Sequence, residues 1–235
     1  EFRRIHIDRL NAEAGQVDFN KALSQLHTEY VRIGGKPAAG VEIRGRLQEC
    51  YDIFKKHFLY EVDESFNKSG TVKELRKRMS GFISTIKSKG VSWSGKLSLH
   101  KCHEAVAKAL GCICGQWTIL DAKDSKKSKG LTRGNIIPHP TQMLSIFRLV
   151  GLDNQGEINN HLAQVGTGEG KSVSLGVVAC LFAMLDYDVS VVCYSPYLSG
   201  RDYTLFLPLF VALDVKYSIT YSDICQLVNR EIGKS

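Results

Sequence analysis

The residues with the clearest chemical purpose are Gly166-Thr167-Gly168-Glu169-Gly170-Lys171-Ser172. Three glycines spaced around Thr167 and Glu169 let successive backbone N–H groups turn inward on phosphate oxygens, which side chains with a Cβ would obstruct. A helix beginning near Gly170 would aim its partly positive N-terminus at the same place. Lys171 then supplies a positive charge for the β- and γ-phosphates, and the Ser172 hydroxyl can ligate Mg²⁺. The chemistry implied is the binding of a nucleoside triphosphate. Val165 occupies the position, five before Gly170, where the common phosphate-loop pattern has its first glycine. A second Gly-Lys-Ser, Gly233-Lys234-Ser235, has no glycine-rich run before it and is read as chance.

Such a loop needs a strand to enter it and a helix to leave it. His161-Leu162-Ala163-Gln164-Val165 is a short apolar run before the loop, and the small apolar residues from Ser172 to Leu185 suit a buried helix after it. Asp188 to Tyr194 is rich in β-branched residues and predicts a buried parallel strand. Leu198 to Leu213 predicts the next helix, and Val215 to Ile219 the next strand. Alternation of strand and helix specifies an α/β domain with a parallel sheet.

The region before it differs. Apolar residues recur at helical spacing through Val17, Ala22, Leu23 and Leu26, through Val41, Ile43, Leu47, Tyr51, Phe54 and Phe58, and through Val72, Leu75, Met79, Phe82, Ile83 and Ile86. Gly34 to Pro37 and Asn67 to Gly70 break the array, and Thr71 with Glu74 forms a capping-box pattern. A further helix is expected from Ser98 to about Ala122, then a polar loop from Lys123 to Gly130. The expected organisation is a basic helical domain, 1–135, followed by a nucleotide-binding domain, 136–235. Charge follows the same division: 25 Lys/Arg against 15 Asp/Glu in residues 1–135, and 6 against 9 thereafter.

The loop and its flanks resemble the first motor domain of SecA, the ATPase of bacterial protein translocation. Thr167-Gly168-Glu169-Gly170-Lys171-Ser172 is similar to the SecA loop, which ends in Thr and also lacks the first glycine. Val189 to Val192, Tyr197-Leu198-Ser199 and Arg201-Asp202 resemble the SecA strand and the Asp-Tyr-Leu-Ala-x-Arg-Asp element after it, with Pro196 in place of the Asp. In related motors this element lines the track of the moving polymer, which makes Arg201 and Asp202 candidates for partner binding or for bracing the domain. Gln142, in His139-Pro140-Thr141-Gln142-Met143, resembles the glutamine that reads the adenine edge, a task suited to an amide that donates and accepts. His139 stands where the family has an aromatic residue, and Gly151 to Gly156 is a polar insertion.

By motif the resemblance covers about residues 136–222. It implies a partial, RecA-like parallel sheet preceded by helices, with ATP and Mg²⁺ as ligands and Lys171 and Ser172 as catalytic groups. The implied activity is coupling of nucleotide binding and hydrolysis to movement or remodelling of a polypeptide. A Walker B acid and an arginine finger, both needed for turnover, are not visible in this sequence. Two alternatives are a non-hydrolysing interaction module that keeps the motor fold and a fragment of a nucleic-acid helicase. The acidic balance of residues 136–235 disfavours the helicase.

No window approaches a membrane span and no signal peptide is recognisable, so the expected setting is the cytoplasm, with at most peripheral membrane association. The seven cysteines are odd in number and mostly lie in apolar runs, as reduced packed thiols do. His100, Cys102, His103, Cys112 and Cys114 do not follow a zinc-finger spacing. Asp186 and Asp188 are read as turn residues.

Overall fold

The computed structural model describes residues 19–32, 37–67, 72–90, 97–127, 138–153, 158 and 170–233. Eight α-helices and two strands lie among them. Helices α1 (Phe19–Arg32), α2 (Pro37–Asn67) and α3 (Val72–Gly90) are the amphipathic array that the apolar spacing predicts. In α2 the buried stripe runs through Leu47, Tyr51, Phe54, Phe58 and Val62, and in α3 through Leu75, Met79, Ile83 and Ile86. Thr71 lies outside the described residues; Glu74 sits in the first turn of α3.

A short 3₁₀ turn, Leu99–Cys102, leads into α4 (His103–Lys127). This helix is buried on nearly every side from Ala105 to Ile119, because neighbours enclose it. Gly111 and Gly115 admit the closest of them: a Cβ on Gly111 would lie 2.8 Å from the Phe54 carbonyl oxygen, and one on Gly115 would lie 2.8 Å from the Glu61 Cβ. The polar run expected as a loop from Lys123 is helical through Lys127, since Lys is a good helix former.

Helix α5 (Pro140–Leu149) is followed, beyond the phosphate loop, by α6 (Lys171–Met184), β1 (Val189–Cys193), α7 (Pro196–Leu213), β2 (Ile219–Asp223) and α8 (Ile224–Ile232). The chain is mostly helical, and its described sheet has two parallel strands, paired from Val189 with Ile219 to Cys193 with Asp223. The expected strand His161 to Val165 lies outside the described residues.

The second strand starts four residues later than the sequence predicts. Val215, expected to begin it, instead closes α7: Asp214 takes a left-handed conformation (φ 63°), the Val215 N–H bonds the Phe210 carbonyl, and the Asp214 N–H bonds that of Val211. This is the Schellman arrangement, in which a left-handed residue recovers the last carbonyls of a helix. Helix α6 ends the same way, with Asp186 at φ 69°, Tyr187 bonded to Phe182 and Asp186 to Ala183.

Helix α3 ties both of these ends together. Arg76 donates from Nε to the Ala212 carbonyl (2.8 Å) and from Nη2 to that of Val211 (2.9 Å), with Asp214 3.6 Å from Nη1. Lys87 pairs with Asp186. Cations therefore stand at the negative ends of α6 and α7, where the helix dipole favours them. The boundary expected near residue 135 falls outside the described residues, yet side chains on its two sides pack together. Phe54 meets Phe147 edge to face, and Trp117 packs on Phe206 at 5.7 Å.

Candidate phosphate-binding site

Gly166, Thr167, Gly168 and Glu169 lie outside the described residues; the loop is described from Gly170 onward. Gly170 precedes α6 at φ 73°, a left-handed conformation that residues with a Cβ adopt at a cost. Lys171 and Ser172 begin the first turn of this 14-residue helix, at the positive end of its dipole. Lys171 is exposed and Ser172 is half-buried.

Gln142 approaches from α5. Its Oε1 accepts the His139 N–H at 2.8 Å, closing the first turn of that helix, while its Nε2 faces Gly170. A Cβ at position 170 would stand 2.1 Å from that nitrogen. The base-reading candidate and the phosphate-loop glycine, 28 residues apart, are thus in contact. Gln142 caps its own helix with one end of the amide and abuts the loop with the other.

Ser172 meets a third element. Its Oγ donates to Asp202 Oδ2 at 2.7 Å, and Oδ1 of the same carboxylate accepts Arg201 Nε at 2.8 Å and Nη2 at 2.6 Å. Asp202 is 6% exposed and turned inward, while Arg201 remains exposed. Sequence reasoning grouped the two as partner-facing or bracing residues; the separation of 30 positions between Ser172 and Asp202 gave no sign that they touch. Helix α7 is oriented here by its N-cap, Ser195, whose Oγ accepts the Leu198 N–H. The cap lies two residues after the end of β1, so α6, α7 and the C-terminal end of a parallel strand converge, the usual location of ligands in open α/β sheets. Cys193, at that strand end, has its thiol pKa raised by burial and then by the Asp202 charge.

A family model for the SecA DEAD-like domain matches residues 62–232. The chain belongs to this family. Its members are nucleotide-binding motor domains, and this chain carries part of one. The match begins well before residue 136, where motifs first show the resemblance, so α3 and α4 are included in the SecA DEAD-like domain and the motifs mark only its most recognisable part. Comparison with curated proteins and with solved structures gives no match.

Elsewhere in the chain, Cys50, Cys102, Cys112, Cys114 and Cys180 are buried free thiols. Among the described residues no group of three or more His, Cys, Asp or Glu side chains could hold a metal ion. Asp186 serves as the left-handed cap described above. Among the described residues, no helix is long and apolar enough to cross a membrane.

Proposed function

We propose that this chain is the ATP-binding segment of a SecA-like motor, which in the whole protein couples ATP binding and hydrolysis to movement or remodelling of a polypeptide. The observation that carries the reading is the juxtaposition of a left-handed Gly170, Lys171 and Ser172 at a helix start with Gln142 against the same glycine. Backbone N–H groups of residues 167–170 and the α6 dipole would hold the phosphates, with Lys171 neutralising them. Gln142 would face the base.

The donor set suits Mg²⁺. Ser172 offers a hard hydroxyl oxygen whose hydrogen is already committed to Asp202, leaving its lone pairs for a cation. Ser172 would help hold Mg²⁺, whose positive charge would offset that of the phosphates.

Calorimetric titration of ATP with Mg²⁺ into the wild type and Lys171→Ala tests the proposal. The expected result is binding to the wild type and at least a tenfold loss in the variant. Equal affinity in both, or no binding to the wild type, would overturn it.

A further inference from the structure

A buried carboxylate is tolerated when its charge is countered and both its oxygens are satisfied. At Asp202 the two oxygens have separate partners. Among the described residues, Arg201 occupies Oδ1 with two nitrogens and Ser172 alone occupies Oδ2. Arg201 alone could neutralise Asp202 at the surface of α7; burial against α6 adds the bond to Ser172.

That bond has a chemical effect on the serine. A hydroxyl has one hydrogen and two lone-pair directions, and a free rotor points them anywhere. With its hydrogen held on Oδ2 at 2.7 Å, the Ser172 oxygen has a fixed orientation, its lone pairs directed away from α7. The adjacent negative charge also makes that oxygen a better ligand for a cation, as outer partners of metal ligands commonly do.

We infer that Asp202 is a positioning residue for the metal site: it holds Ser172 as a divalent-cation ligand, so that Mg²⁺ strengthens nucleotide binding through a bond between α6 and α7. The inference rests on the phosphate-loop reading of Gly166 to Ser172. It gives the Arg201-Asp202 pair two directions. Asp202 serves the nucleotide site, and Arg201 holds Asp202 while presenting the rest of its guanidinium at the surface.

The test is calorimetric titration of ADP into the full chain, once in excess Mg²⁺ and once with a chelator, for wild type, Asp202→Asn, Ser172→Ala and the double variant. Asp202→Asn should keep its Mg²⁺-free affinity within about twofold and lose about tenfold or more of the tightening that Mg²⁺ gives the wild type. Ser172→Ala should lose the same increment, and the double variant should be no worse than Ser172→Ala. Should Asp202→Asn fail to fold, as judged by circular dichroism, Asp202→Glu keeps the charge but displaces the oxygen by a methylene and should show the same selective loss. An Asp202 variant with an undiminished Mg²⁺ increment, or with equal losses in both conditions, overturns the inference alone. Wild type that binds no ADP under either condition overturns the phosphate-loop reading and this inference together.

Discussion

The amide nitrogen of Gln142 occupies the space into which any side chain at Gly170 would have to grow, 2.1 Å from the position of its Cβ. Two constraints therefore fall on one residue, the left-handed backbone and the neighbouring amide.

Gly170→Ala should be the most damaging small substitution near the loop. The left-handed conformation costs about 1–2 kcal/mol for a residue with a Cβ, and the clash must also push Gln142 or the loop aside. Nucleotide affinity should fall at least tenfold by titration. Adding Gln142→Ala should recover part of the lost thermal stability, because it removes the clash and leaves the backbone strain. Strict additivity of the two substitutions would show that the contact does not constrain the loop.

Arg76→Ala should destabilise the chain by about 1–3 kcal/mol in denaturant unfolding, since it removes two hydrogen bonds from a charged donor to carbonyls at the end of α7. Arg76→Lys should recover less than half, because an ammonium cannot reproduce the fork that reaches both carbonyls. Most of the loss belongs to the carbonyls; Asp214 is too exposed to hold a strong ion pair.

Glu61 is 1% exposed and accepts Arg78 Nη2 at 2.6 Å where α2, α3 and α4 meet. Burial works against the charged guanidinium, but the hydrogen bond and charge of Glu61 outweigh it and hold the Arg78 pKa above its ordinary value. Arg78→Met should cost about 3 kcal/mol by removing the cation that counters the charge of a buried carboxylate. The pair Glu61→Met with Arg78→Met should cost less than Arg78→Met alone. A double variant less stable than that single one would contradict the account.

Alkaline pH should destabilise the fold. Burial pushes the thiol of Cys50 up to about 12, that of Cys112 to about 12 and that of Cys102 to about 11, from an ordinary 9.0. Below 9.0 folded and unfolded chains both hold these protons; above it the unfolded chain releases them first, so stability falls from 9.0 toward about 12. Between about pH 8 and pH 10 the loss should be on the order of 1 kcal/mol per thiol, read as a lower denaturant midpoint. Buried Tyr51, its pKa raised by burial and then by Asp52, acts in the same direction. A midpoint that does not move over this interval would refute the assignment.

Periodicity made α1 to α3 legible because each buries one face, and the β-branched run made β1 legible. Residues 215–219 misled because alternation describes a strand without saying where a helix stops. Asp214 in the left-handed region draws Val215 into the end of α7, and pairing starts at Ile219. Lys123 to Lys127 misled in the opposite sense, since helix propensity and not polarity decides conformation. At the candidate site, the placement of Lys171 and Ser172 at the start of a helix was readable from local spacing alone. Asp202 was visible as a residue but not as the partner of Ser172, because that contact depends on how α6 and α7 pack.

The two aspartate-capped helix ends have a mechanical consequence. Arg76 and Lys87 sit on one helix, about 16 Å apart along its axis, and each grips the far end of a helix whose other end lies at the candidate phosphate site. Sliding α6 relative to α7 would break one grip or drag α3 along. A shift that began at the near ends of α6 and α7 would thus reach α3, the connecting rod between their far ends.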